Sequence, residues 1–354
     1  MGAIFAASPS LLAFAPDPPS KYVPIPPYLK PGDFIGITCP AGSIDVKDAR
    51  YAEVTLSRWG FKTKLGSTIG KDWNRFAGTD EERALDLQRQ LDDPILKAII
   101  FGRGGYGTIR MMDKINWDGF KKNPKWLIGY SDITALHCHI SKNFGIPTIH
   151  GRMASGFGTQ EDYSEISLKE ALSGKPLMYN WEPSKLNRTG VANGLLVGGN
   201  LSLICAMQAS QSELDTEKKI LFIEDVSEYK YTVDRMLMNL KRSGKLEKLA
   251  GLVVGGFTGT KIDEDGFFTM SMEELILEKV REFDFPVCFG FPAGHQKPNL
   301  AIKFNLPYIL KVSPEGCTLG EPHAIQPFLP QPFGHDTIPA PVNNAPNIQL
   351  GHND

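Results

Sequence analysis

Short apolar runs that end in small or polar turn residues, each followed by a stretch with helical spacing, recur along most of this chain. That alternation restricts the fold more than any other feature. Phe34–Thr38 (FIGIT) reads as a buried strand entering a Pro-Ala-Gly-Ser turn, and residues 45–59 read as a helix stopped by Gly60. Thr79 and Glu82 have the spacing of a capping box for a helix with Ala84, Leu87 and Leu91 on one face, ending before Pro94. Two more apolar runs follow, Ala98–Phe101 and Trp126–Gly129. The second leads through Tyr130-Ser131-Asp132 into a helix reaching about Lys142. Parallel strands need crossover helices, so strands separated by helices predict a parallel α/β sheet.

A second such series lies further on. Leu195–Val197, Lys219–Ile223, Leu252–Val254 and Pro286–Phe289 are strand candidates, and residues 200–210, 232–243 and 271–282 have helical spacing. A chain of 354 residues is long enough for two cores. The expected division is a Pro-rich leader over 1–29, an N-terminal domain over 30–157, a connection over 158–192, a second α/β domain over 193–325 and a tail over 326–354. Seven prolines fall between residues 16 and 31, too many for a helix or a central strand.

Charge and cysteine content exclude several classes. Lys plus Arg number 38 against 40 Asp plus Glu, so no net field draws nucleic acid or an anionic membrane. The five cysteines are scattered, without zinc-site or disulfide spacing, and read as reduced, mostly buried thiols. No apolar run approaches the roughly 20 residues of a membrane-spanning helix. Residues 4–15 end in Ala13-Phe14-Ala15, like a secretory cleavage site, yet no basic residue precedes them. Export and a plain leader therefore both stay open.

Three segments could carry chemistry. Gly102-Arg103-Gly104-Gly105-Tyr106-Gly107 follows a strand and matches the dinucleotide fingerprint, but that loop ordinarily follows a first strand, and here two strand candidates precede it. Glycines at Gly104 and Gly105 equally suit a turn whose N–H groups face a reacting carbonyl, and this oxyanion or substrate loop is the favoured reading. Ser131 stands where a strand turns sharply into a helix, as a nucleophile does on an elbow; helix capping explains a serine there equally well. His295 lies in a Gly/Pro loop after a strand, placed to act as a base. His137 and His139 read as structural, and His150 either lines the site or packs. The acid that orients the base comes from the end of KILFI, where Glu224 is preferred over Asp225 and Glu228.

CPAG (39–42), FGRGGYG (101–107), PKWLIGYSDITALH (124–137), HGRM (150–153), GGNLSLI (198–204), LFIEDVSEYKYTVDRML (221–237) and GFPAGH (290–295) together resemble the LD-carboxypeptidase family from about residue 30 to 320. The family includes muramoyltetrapeptide carboxypeptidases and microcin C self-immunity peptidases. The resemblance implies a nucleophile domain followed by a domain carrying the acid and the base. It implies a serine triad of Ser131, His295 and Glu224, with an oxyanion hole from Gly104, Gly105 and the backbone of Asp132. It also implies cleavage of terminal D-alanine from murein tetrapeptides without metal or organic cofactor, a homodimer and a cytoplasmic location. Arg103 or Arg152 is the expected partner of a substrate carboxylate; Arg152 stands where the family's HGPM-like segment has proline. The alternatives are the immunity-type amide hydrolase and, from another class, a nucleotide-binding oxidoreductase using the GRGGYG loop.

Overall fold

A computed structural model describes residues 24–158, 161–261 and 269–324. The signal-like stretch 4–15, the tail over 326–354 and most of the Pro-rich leader lie outside the described residues. In chain order the first half comprises β1 (Phe34–Thr38), α1 (Val46–Arg58), β2 (Lys62–Leu65), α2 (Asp80–Asp92), β3 (Leu96–Phe101), α3 (Thr108–Met111), α4 (Asp118–Lys122), β4 (Trp126–Gly129), α5 (Thr134–Phe144) and β5 (Thr148–His150). Then come α6 (Tyr163–Leu172), β6 (Met178–Trp181), β7 (Gly190–Asn200), α7 (Leu201–Ala206), β8 (Ile220–Val226), α8 (Lys230–Arg242), β9 (Gly251–Thr258), α9 (Met272–Lys279), β10 (Val287–Cys288), β11 (Ile302–Phe304), β12 (Pro307–Ser313) and β13 (Gly316–Gly320).

The alternation produces two sheets. The first runs β11-β5-β4-β3-β1-β2, with β2, β1, β3, β4 and β5 parallel and β11 antiparallel at the edge. The second runs β10-β9-β8-β7-β12-β13-β6, parallel from β10 to β7 and antiparallel beyond. Every residue of β4 is buried, as a central parallel strand covered on both faces requires. The α2 capping box forms: Glu82 N–H donates to Thr79 Oγ1 at 3.2 Å, and Thr79 N–H donates to Glu82 Oε2 at 2.9 Å.

Three features go beyond the expected division. Residues 158–192 hold α6, β6 and the start of β7, so they are more than a connection; Leu168, Ala171 and Leu172 of α6 lie in the core. The end of the leader is also part of the folded body. Tyr28 stacks on Trp126 at 5.3 Å, and Leu29 N–H donates to Leu172 O at 2.9 Å. Finally, β11 leaves the second domain to pair with β5, Ile302 opposite His150. One apolar cluster accordingly contains Ile37, Trp126 and Ile149 from the first sheet beside Phe222, Val253 and Leu310 from the second. The two sheets share a core.

Four of the five free cysteines are buried, and burial pushes the Cys39 and Cys138 thiols up to about 12. Among the described residues no helix is long and apolar enough to cross a membrane, and no group of three or more His, Cys, Asp or Glu is placed to hold a metal ion.

Candidate active site

Ser131 stands two positions after Gly129, the last residue of β4, and begins a single 3-10 turn, Ser131–Ile133, that leads into α5. Its φ is +63°, the left-handed region that a non-glycine residue seldom occupies. The reversal places a polar side chain at the carboxyl end of a central parallel strand, where open α/β sheets gather their ligands. His137, one turn into α5, braces this elbow from below. Its Nε2–H donates to Gly129 O at 2.9 Å, Nδ1 takes Thr148 Oγ1 at 2.8 Å, and burial lowers its pKa to about 4. A neutral, structural histidine results.

The glycine loop passes directly over the elbow. A Cβ on Gly104 would lie 3.0 Å from Ser131 Cβ and 3.1 Å from Oγ, so only glycine lets the loop approach this closely. The N–H groups of Gly104 and Gly105 meet no acceptor among the described residues. Asp132 serves the same loop through its side chain: Oδ2 accepts the Thr108 N–H at 2.8 Å, tying the loop's end to the elbow, while burial raises the carboxyl pKa. The helix after the loop, α3, spans only four residues, too short for the summed dipole that cradles a pyrophosphate.

The base side is built from β8 and the loop over residues 291–299. Glu224, fully buried, accepts His295 Nδ1–H at 2.6 Å and the His295 backbone N–H at 3.1 Å on the same oxygen, Oε2. Burial opposes the imidazolium, but Glu224's hydrogen bond and charge, with Asp225 farther off, outweigh it and raise the His295 pKa. Thr258 Oγ1 donates to His295 O at 2.8 Å, fixing the loop to β9. Gly294, at φ +104°, has no room for a side chain, because its Cβ would fall 2.7 Å from Glu224 Oε2. The two halves meet where the Tyr130 ring stands edge-on to the His295 ring at 5.0 Å.

The rival acids are placed elsewhere. Asp225 accepts from Asn200 Nδ2 at 2.9 Å, Ser202 N–H at 2.9 Å and Val226 N–H at 2.8 Å, and burial raises its pKa to about 6. It anchors the start of α7. Glu228 is half-buried after the strand, where its carbonyl accepts Lys261 N–H.

The two arginines also part. Arg152 bonds Asp162, Glu165 at 3.1 Å and the Gly156 carbonyl, so it is not free to meet a substrate. Arg103 is exposed, has no ion pair among the described residues, and lines two adjoining cavities of about 350 and 230 Å³ beside Ser43. The second of these reaches Gly104 and Gly105. One residue the sequence reading passed over is Asn299, whose Oδ1 accepts the Gly294 N–H at 2.8 Å. No local spacing marks it, since it meets the loop by folding back on it.

Residues 35–151 match the LD-carboxypeptidase N-terminal domain, and residues 193–310 match the LD-carboxypeptidase C-terminal domain. The chain belongs to the LD-carboxypeptidase family. Its relatives include a probable murein peptide carboxypeptidase of Bacillus subtilis, 36% identical over 78% of this chain and 88% of that one. Another is a murein tetrapeptide carboxypeptidase of Pseudomonas aeruginosa, 28% identical over 78% of this chain and 92% of that one. The crystal structure of a muramoyltetrapeptide carboxypeptidase from Oxalobacter formigenes superposes with a TM-score of 0.74 at 27% identity, covering 81% of this chain and 98% of that one. An MccF-like protein from Bacillus anthracis shares the fold at the same TM-score with 24% identity. As an LD-carboxypeptidase, the protein is a serine-type carboxypeptidase, a hydrolase, and its two mixed α/β domains are those of the family.

Proposed function

We propose that this LD-carboxypeptidase removes the terminal D-alanine of murein tetrapeptides through Ser131, His295 and Glu224. The single observation that carries this reading is the 2.6 Å hydrogen bond from His295 to a fully buried Glu224, with the His295 ring 5.0 Å from that of Tyr130, the residue before the serine on its strained elbow. In the proposed reaction His295 Nε2 takes the Ser131 proton as Oγ attacks the scissile carbonyl. The N–H groups of Gly104, Gly105 and Asp132 hold the oxyanion. Collapse expels D-alanine, whose amine takes the proton from His295, and leaves an acyl-Ser131 ester. Water, deprotonated by His295, then hydrolyses that ester and restores the serine. Glu224 holds the imidazole tautomer throughout and stabilises the imidazolium. Arg103, free of an internal partner, is the proposed carboxylate clamp.

The test is release of D-alanine from a murein tetrapeptide by the purified chain beside Ser131→Ala. Release lost in the mutant supports nucleophile and substrate together. Release by neither protein rejects the tetrapeptide and turns to the immunity-type amide, and release that survives the mutation rejects Ser131. A homodimer is part of the same reading and is checked by sedimentation.

A further inference from the structure

Beneath the His295–Glu224 pair lies a buried polar layer that the proposed chemistry does not use. His150 ends β5, opposite Gly129 of β4 and Ile302 of β11. Its ring is fully buried, with Phe222 at 5.1 Å, Tyr130 at 5.7 Å and Phe304 at 5.8 Å. Neither ring nitrogen has a hydrogen-bond partner among the described residues, and the same holds for Asn299 Nδ2 and Glu224 Oε1. Four unpartnered polar atoms at and behind one dyad are unusual, because buried polar groups are ordinarily hydrogen-bonded.

Asn299 connects this layer to the base. Its backbone N–H donates to Ser164 Oγ on α6 at 2.9 Å, and its Oδ1 takes the Gly294 N–H. Glu224 Oε2 takes the next N–H along the chain, that of His295. Two side chains therefore clamp consecutive peptide groups, which sets the direction in which the imidazole leaves the backbone. Burial first, then His137 and His295, hold the His150 pKa well below the ordinary histidine value, and the neighbouring Asn299 side chain opposes them.

We propose that Asn299 and His150 are positioning residues for the triad: Asn299 holds the Gly294–His295 peptide so that ring and N–H of His295 share Glu224 Oε2, and His150 supports the Asn299 carboxamide. The inference rests on the Ser131–His295–Glu224 reading. The titratable groups facing His295 are Glu224 and Asp225 on β8, Tyr130 on the elbow and His150 on β5. Arg152 acts on Tyr130, and His137 on His150. Against burial, Glu224's hydrogen bond and charge are the main causes that raise the imidazole's affinity for its proton, with Asp225 adding less, so a loosened dyad shows as a pH shift.

The experiment is the kcat/KM–pH profile of D-alanine release for the wild type, Asn299→Ala, His150→Phe, His150→Gln and Ser131→Ala. Asn299→Ala and His150→Phe should lower kcat roughly 10- to 100-fold, the scale of a misplaced catalytic group, with KM nearly unchanged. Their acidic limb should move to lower pH, because Glu224 then raises the His295 pKa less. His150→Gln, still polar and neutral, should keep the wild-type limb. Limbs that do not move in either disruptive variant, or a Gln variant as impaired as the Phe one, overturn the positioning role. His150→Phe fills an aromatic hole and carries the test if Asn299→Ala does not fold. A silent Ser131→Ala with unmoved limbs rejects this inference alone, whereas Ser131→Ala that still releases D-alanine rejects the triad and the inference with it.

Discussion

The nucleophile side and the base side of the site are held in different ways. Ser131 is placed by local means: a strand end, a residue at φ +63°, a one-turn helix and a glycine loop pressed against its side chain. His295 sits in a loop without regular structure and takes its geometry from a carboxylate 71 residues away and, through Gly294, from Asn299. Changes to the first side should therefore act on the reacting atoms in a fold that stays intact. Changes to the second should alter protonation as well as rate.

The largest effect expected is from Ser131→Ala, about a 10⁶-fold loss of kcat with an unchanged melting temperature. Melting and D-alanine release measured together check it, and an unfolded variant would break the claim that the elbow is locally determined. Next, Glu224→Gln should lower kcat about 10⁴-fold. The wild type needs neutral His295, so its kcat/KM should fall as pH drops through a pKa raised above roughly 6.5. In the Gln variant that limb should shift toward lower pH, and a limb that stays put would show the carboxylate is not what raises the pKa. Gly104→Ala comes third, at roughly a 10²-fold loss of kcat, because the methyl displaces the loop that presents the oxyanion donors. Pre-steady-state acylation rates on an ester substrate read that loss directly. The smallest is Thr79→Ala, far from the site, which should cost about 1 kcal/mol of stability in a denaturant titration and leave kcat as it was.

How far each region could be read from the sequence follows the same division. The strands β1, β3 and β4, the α2 capping box and the turn at Ser131 announce themselves within a few residues, through apolar runs, cap spacing and small residues. The antiparallel part of the second sheet was not singled out. In β12 and β13 the inward residues Tyr308, Leu310, Val312, Cys317 and Leu319 alternate with less buried ones, a weak pattern beside the continuous runs of the parallel strands. Residues 158–192 looked like a connection for a related reason: the apolar residues of α6 are not confined to one face, Tyr163 and Ile166 being exposed, yet Ser164 and Ser167 bond the backbone of Asn299 and Ala301 and help seat the helix on the core.

By itself, then, the sequence determined that this chain builds parallel α/β sheets, that a serine stands at a strand-to-helix reversal, and that a glycine loop and a His-bearing loop follow strands. Such signals come from neighbours along the chain, whose spacing controls cap bonds, faces and turns. Only the tertiary structure decided that Glu224 meets His295 while Asp225 turns to Asn200, that Arg152 is taken up by Asp162 and Glu165, and that β11 crosses into the first sheet. The reason is physical: successive side chains on a strand point to opposite faces, so which of two adjacent carboxylates reaches a histidine 71 residues away depends on sheet register and crossover packing.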